Sequence, residues 1–451
     1  MKNLKKQSIK ISGWGLNKHA NVKIFKPSDL KELINFIKSS QQKSILARGL
    51  GRSYGDASLL DGKTIIKMDK FKKICLNTKD STITVGAGVS IREILSEVVH
   101  KGFFLPVIPG TSNVTVGGAI AADVHGKNHY KDGSFGSNII KISIVDGSSK
   151  VQELDPENEY HKFWATVGGM GLTGVIFEAT IKLFRISSSL ISVDTKRFKD
   201  LNSLMLQMDQ DENYYKYNVA WIDSLNKNFR GVLTRGNHIN FEDLNPKEKF
   251  NPLEYKEKVT RSLPDFLPGN LLNKYSVRAF NSVYFYKSPK DSKNEHQSVQ
   301  SFFHPLDALE EWNKIYGKKG FIQYQFCVPN NSNYLIEFVL NTLRKNNIPS
   351  FLTVLKKFGV KNSSLLSFPS KGWTLATDIP NSKPNIYKVL DFLDNEIKNC
   401  GGKIYLAKDS RQSVLTFKQT YPKLREWMKI KKELDPENKF ISDMGKRLEF
   451  F

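Results

Sequence analysis

Three glycine-rich segments, each abutting a strand-like run, constrain this chain more than any other feature. The first is Ala47-Arg48-Gly49-Leu50-Gly51-Arg52-Ser53-Tyr54-Gly55-Asp56, directly after the apolar run that ends at Ala47. The second runs from Pro109 through Thr115-Val116-Gly117-Gly118 and His125-Gly126-Lys127-Asn128-His129 to Gly136. The third is Val167 to Ile176, with glycine at 168, 169, 171 and 174. Glycine tolerates positive φ and lets backbone N–H groups come close to a ligand, so such loops suit an anion or a flat, extended molecule. Two common nucleotide loops do not fit. The first segment spaces its glycines G-x-G-x-x-x-G, and Gly62-Lys63-Thr64 lacks the glycine a Walker loop needs at Ala57. By itself the first loop reads equally well as a tight turn.

At 451 residues, a soluble fold buries roughly three quarters of its unfolded surface and needs no covalent or metal staple. An apolar content of 39% with 29 Phe excludes a disordered chain. Cys75, Cys327 and Cys400 are too few and too far apart for a disulfide framework. His125 and His129 stand four apart without the Glu of a zinc helix, so no metal is expected. The N-terminus has basic residues but no apolar stretch of signal-peptide length, and no run of about 18 apolar residues occurs. A cytoplasmic or peripheral membrane-associated protein is expected. The net charge of +23 suits a phosphate-bearing ligand, an anionic membrane surface or nucleic acid, and equally a solvated basic surface. No RNA- or DNA-binding motif is present, which puts nucleic acid last.

The first 186 residues alternate helix and strand. Asp29 with Glu32, and Ser90 with Glu93, stand at capping-box spacing at the head of apolar helical patterns. Strands are predicted over Lys43 to Ala47, Thr64 to Met68 and Ser81 to Ala87. Beyond Arg185, aromatic strand runs (Tyr214 to Ile222, Phe321 to Val328) alternate with long polar segments. Residues 242–300 read as a mobile insertion or lid. Tyr421 to Leu434 forms a helix with Leu424, Trp427 and Met428 on one face, for core packing or membrane contact. The fold class is α+β.

Further motifs make the pattern specific. ARGLGRSYGD (47–56), LPVIPGTSNVTVGGAIAADVHGKNH (105–129) and GSFG (133–136) are followed by GFIQYQF (320–326), LSFPSKGW (366–373), AKDSR (407–411) and DPENKFISDMGKRLEF (435–450). In these the chain resembles the vanillyl-alcohol-oxidase superfamily of PCMH-type FAD-binding proteins. Within it the chain resembles the branch that oxidises the ribose 2′-hydroxyl of a polyprenyl-phosphate sugar as the flavin half of an arabinose-forming epimerase. The resemblance implies a two-part FAD-binding domain, residues 1–186 completed by a C-terminal return over 404–451. An antiparallel-sheet substrate domain, 187–403, would be inserted before the return. It also implies a lipid-linked phosphosugar substrate, a possible membrane surface, and a separate NAD(P)H-dependent short-chain reductase for the keto product. Within the superfamily the alternative is a sugar, alditol or aldonolactone oxidase on a soluble substrate. Outside it, the alternative is a non-enzymatic basic protein that binds nucleic acid or lipid.

Carried over residue by residue, Arg48, Gly49, Leu50, Gly51, Arg52, Ser53, Tyr54, Gly55 and Asp56 would wrap the FAD pyrophosphate. Gly110, Thr115, Val116, Gly117 and Gly118 would contact the flavin and its chain, and His125, Gly126, Lys127 and Asn128 would line it. Val175 and Ile176 would hold the adenine end through backbone groups, and Tyr405 would approach from the C-terminal segment. Arg52 stands where many relatives carry a histidine that links FAD, so non-covalent FAD is expected. The implied chemistry moves a C–H hydride to the flavin while the hydroxyl proton leaves, which calls for a proton acceptor and a cation nearby. Lys408 is the catalytic candidate and Tyr54 the second, for proton relay or positioning. A strand through AKDSR would put Leu406 and Lys408 on one face, Tyr405 and Ala407 on the other. Without the resemblance, Lys408 reads as a surface lysine paired with Asp409. Gln323 and Gln325 share a strand face, either as substrate-facing amides or as a half-exposed polar sheet surface. Lys127, Lys356 and Lys408 would receive the phosphosugar, or are solvated lysines. Thr374 and Ala376 share a face, Ala376 where some relatives have cysteine.

Overall fold

A computed structural model describes residues 7–39, 44–256, 272–382 and 385–451, with the backbone of 261–262. Its first sheet runs Ile9–Ser12, His19–Phe25, Thr64–Lys67, Ile45–Arg48 in spatial order. His19–Phe25 and Ile45–Arg48 both lie parallel to Thr64–Lys67. Helix Leu30–Ser39 carries the chain from His19–Phe25 to Ile45–Arg48, on the far side of Thr64–Lys67. Phe36 of that helix stacks on Phe25 with ring centroids 3.9 Å apart. Asp29 accepts from Glu32 N, but the Glu32 carboxylate takes the amide of Ser28, one residue earlier than capping-box spacing implies.

The second sheet, Ile74–Asn77, Thr82–Gly86, Val175–Lys182, Ile139–Val145, Val151–Leu154, is antiparallel throughout. Helix Ile91–Val98 opens on the Ser90–Glu93 capping box and buries Ile91, Ile94, Leu95 and Val98. One apolar core joins residues between Ala20 and Ile186 with residues between Tyr405 and Phe450. Ile45 bonds through its backbone to Lys439 and Ile441, so the C-terminal end closes on the first sheet. Helix Leu424–Leu434 starts three residues later than its sequence pattern suggests. It buries Trp427, whose indole donates to Ala165 O at 2.8 Å, so its apolar face belongs to the core.

The third sheet has eight strands: Asp291–Ser298, Leu190–Phe198, Gly231–His238, Tyr217–Ile222, Thr353–Phe358, Gly372–Pro380, Phe321–Val328, Lys403–Ile404. All these neighbours pair antiparallel. Period-two alternation then sorts the side chains. Ile322, Tyr324, Phe326, Trp373, Leu375 and Ile379 pack under helices Leu201–Gln210, Tyr334–Lys345 and Ile386–Asn399. The other face carries Gln323, Gln325, Lys356, Thr374, Ala376 and Asp378. Register sets Gln323 opposite Asp378, Gln325 opposite Ala376 and Lys356 opposite Thr374.

Residues 242–300 are not a bare loop, since Lys274–Lys287 is a helix and Asp291–Ser298 is the outer strand of the large sheet. Within the expected mobile insertion, 257–260 and 263–271 lie outside the described residues. Among the described residues no helix is long and apolar enough to cross a membrane.

Candidate functional site

A cleft is walled by all three glycine segments and by the turn after Lys403–Ile404. Arg48, Gly49, Leu50, Gly51, Arg52 and Ser53 come from the first segment, Thr115, Gly117 and Gly118 from the second, and Gly171, Gly174 and Ile176 from the third. Tyr405, Ala407 and Lys408 close it from the C-terminal side. Side chains are excluded at two of these glycines. A Cβ on Gly49 would stand 2.1 Å from Thr115 Oγ1, and one on Gly51, at φ +68°, would stand 2.1 Å from the Arg48 guanidinium. Arg48 itself braces the loop by donating to Ser12 O and Ser58 O, and burial lowers its pKa to about 10. The Arg52 guanidinium lies 3.9 Å from the Trp14 ring centroid, and its buried Nε has no hydrogen-bond partner.

Other predicted residues stand off this wall. Asp56 is taken by Arg447 at 2.7 and 2.9 Å, and Gly55 packs on the Asp409 carbonyl. Val116 and Val175 lie in apolar cores, Gly126 packs on the Ile108 backbone, and Asn128 donates to Pro106 O. A Cβ at Gly110 would meet nothing within 4 Å.

AKDSR is a turn rather than a strand, because the Tyr405 carbonyl accepts from both Lys408 N (3.0 Å) and Asp409 N (2.9 Å). The turn brings Tyr405 and Lys408 to the same wall, which corrects the opposite-face assignment from alternation. Asp409 is buried and bonded to Arg447 at 2.9 Å, so it is not the surface partner of Lys408. Lys408 Nζ instead stands 3.7 Å from the centroid of the Tyr54 ring.

Behind this pair the large sheet presents its polar face. Gln323 donates to the Tyr54 hydroxyl (3.2 Å) and to Asp378 Oδ1 (2.5 Å). Gln325 donates to His125 Nε2 (3.0 Å) and Thr374 Oγ1 (3.3 Å). Both glutamines are buried, which corrects the half-exposed reading of this sheet face. Because His125 Nε2 accepts, its proton sits on Nδ1, which has no partner. Burial, and then the charge of Lys356, holds His125 well below the usual imidazole range, so it is neutral.

Positive charge gathers here. Lys127, Lys356 and Lys408 are each partly buried as residues. Desolvation lowers Lys356 to about 8, and desolvation together with the charge of Lys356 lowers Lys127 to about 7. Lys127 Nζ donates to the Phe302 carbonyl and faces that ring at 4.2 Å. No hydrogen-bond partner is found for Lys356 Nζ or Lys408 Nζ among the described residues. Burial lowers Lys408 and raises Asp378, so the two converge toward neutral pH. Asp378, whose Oδ2 is buried without a partner, was not among the predicted site residues. Continuing the alternation of Thr374 and Ala376 by two would have found it.

The family model described as an FAD binding domain matches residues 22–155, and the one described as D-arabinono-1,4-lactone oxidase matches residues 381–448. The chain is 34% identical to the decaprenylphosphoryl-β-D-ribose oxidase of Mycolicibacterium smegmatis, over 98% of this chain and 97% of that protein. It is 28% identical to the D-arabinono-1,4-lactone oxidase of Saccharomyces cerevisiae, over 37% of this chain and 33% of that one. Against the D-lactate dehydrogenase of Archaeoglobus fulgidus the identity is 25%, over 36% of this chain and 39% of the other.

Proposed function

Since the chain belongs to the decaprenylphosphoryl-β-D-ribose oxidase family, as an FAD-dependent oxidoreductase with a PCMH-type FAD-binding domain, we propose that it oxidises the ribose 2′-hydroxyl of a polyprenylphosphoryl ribose to the 2′-keto sugar. The observation that carries this reading is the group Lys127, Lys356 and Lys408. Among the described residues no carboxylate compensates Lys127 or Lys356, and Asp378 alone offsets Lys408. Desolvated ammonium groups without anions are unfavourable. A sugar phosphate brings the missing negative charge, whereas a free lactone or alditol brings none.

The cleft fits FAD by its donors and shape: two arginines, one with an unpartnered buried Nε, glycines that admit no side chain, and a long wall of small residues. Residues 1–186 and 404–451 would hold the cofactor, and 187–403 would supply the substrate face. Attachment is non-covalent in this reading, because Arg52 replaces the linking histidine and a guanidinium forms no such bond. When bound, FAD would supply the hydride acceptor for the substrate carbon. Lys408, lowered by burial so that a neutral fraction exists near pH 7, takes the hydroxyl proton at Nζ. Tyr54 holds that amine over its ring, and Gln323 fixes Tyr54 against Asp378. Lys356 and Lys127 bind the phosphate. The keto product requires a separate NAD(P)H-dependent short-chain reductase to complete a net epimerisation.

Steady-state turnover of a polyprenylphosphoryl ribose by wild type and by Lys356→Met tests the reading. The variant should keep its flavin and raise KM about tenfold or more. An unchanged KM, with efficient turnover of free aldonolactones, would transfer the chain to the soluble-substrate alternative.

A further inference from the structure

Helix Lys274–Lys287 carries apolar side chains on both its faces. Its buried side is Val277, Asn281 and Phe285. At 3.6 residues per turn the opposite side belongs to Tyr275, Ala279, Val283 and Tyr286, where a surface helix ordinarily carries charge. Tyr275 is 82%, Tyr286 67% and Val283 64% exposed, with Phe280 and Tyr284 extending the patch. An exposed patch of this make-up on a folded protein marks an interaction surface. Basic residues ring it: 272–293 contain Lys274, Arg278, Lys287, Lys290 and Lys293 against the single acidic Asp291.

The patch connects to the catalytic chamber through a file of rings. Phe280 lies 5.5 Å from Phe351, which lies 5.8 Å from Tyr316. Tyr316 stacks on Phe321 at 4.0 Å, and Phe321 meets Tyr54, below Lys408, at 5.3 Å.

We propose that this helix docks the protein on an anionic lipid bilayer, with Tyr275, Val283 and Tyr286 in the headgroup–acyl boundary and the flanking lysines and Arg278 on the headgroups. Tyrosine has an apolar body and a polar tip, which suits that boundary, and anionic lipid neutralises the basic ring. A second copy of the chain is the poorer occupant, because a two-fold contact would set this basic ring against itself on a molecule of net charge +23. The proposal deepens the lipid-linked reading of the active site, yet docking itself needs no substrate.

Co-sedimentation with vesicles of phosphatidylcholine, with and without phosphatidylglycerol, tests it. Wild type should pellet with the phosphatidylglycerol vesicles and stay in solution with pure phosphatidylcholine. Tyr275→Ser/Val283→Ser/Tyr286→Ser should weaken partitioning about tenfold or more, and Lys274→Glu/Arg278→Glu/Lys287→Glu should do the same. Both should retain wild-type flavin content, which reports that they fold. Wild type that stays in solution with both vesicle types, or variants that pellet like wild type, would overturn the proposal. So would a wild-type dimer in sedimentation velocity that the apolar variant dissociates, because the patch then belongs to a second copy. The vesicle readout uses no substrate, so its failure leaves phosphosugar turnover standing, and failed turnover leaves the vesicle result standing.

Discussion

Lys408 Nζ stands 3.7 Å from the centre of the Tyr54 ring, and the Tyr54 hydroxyl accepts from Gln323, which also reaches Asp378. The amine is thus held from below by an aromatic face while its charge is answered from the side by one carboxylate. If Lys408 is the proton acceptor, Lys408→Met should lower kcat by about 10²–10⁴-fold with flavin content unchanged. Tyr54→Phe keeps the ring and loses only the hydroxyl, so its loss should be much the smaller. Steady-state kinetics on protein of matched flavin content decides. Normal turnover in Lys408→Met would remove the assignment.

The pH dependence has a defined sign. Burial lowers Lys408 to about 7, with Asp378 pulling it up and Lys356 pulling it down. Turnover should rise with pH through that region as the amine loses its proton. Asp378→Asn removes the opposing negative charge, so the rising limb should move to lower pH. A kcat–pH profile of the two proteins reads this directly, and a shift to higher pH would contradict it.

Burial of the Lys356 ammonium costs stability. Its folded pKa is about 8 against the ordinary 10.5, so the folded protein is penalised fully below about 8, and the penalty fades as pH rises toward 10.5. Lys356→Met should therefore stabilise the protein by about 1–3 kcal/mol at pH 7. The gain should shrink toward pH 10, as followed by urea denaturation across pH.

Arg447 holds two buried carboxylates together, Asp56 from the first glycine loop and Asp409 from the turn that carries Lys408. Burial pushes Asp409 up, but Arg447 and Arg411 outweigh it and hold the carboxyl below its usual range. Arg447→Met strands the Asp56 charge and leaves Asp409 to Arg411 and the amides of Arg411 and Gln412, and should cost about 3–5 kcal/mol. Chemical denaturation measures the loss, and flavin should dissociate more readily because the loop and the turn both wall the cleft.

What was legible in the sequence was what local chemistry dictates. Glycine density pointed to a close backbone approach while only the family resemblance joined the three segments in one cleft, and Ser90 with Glu93 announced its helix through a reciprocal cap. Gln323 and Gln325 were placed on one face by strand periodicity, but periodicity does not say which face is covered. Here the cofactor-side core covers it, so the amides are buried. Lys408 comes into view through the resemblance alone, and alternation sets it on the face opposite Tyr405, whereas the Tyr405 carbonyl collects two amide donors and coils AKDSR into a turn. Asp378 escaped because its environment is tertiary: Gln323 from the next strand and Lys408 from the returning chain give it meaning. Helix Lys274–Lys287 escaped because the Lys, Pro, Asn and Ser around it make 242–300 read as a mobile insertion, and which of its apolar side chains stay exposed is set by tertiary packing.

The most direct test mixes the oxidised, flavin-loaded protein anaerobically with one equivalent of a polyprenylphosphoryl ribose and follows the oxidised-flavin absorbance. The account predicts prompt bleaching at a rate no slower than kcat, little or none with the same riboside lacking phosphate, and none with D-arabinono-1,4-lactone. Bleaching by the lactone with an unreactive phosphosugar would contradict it.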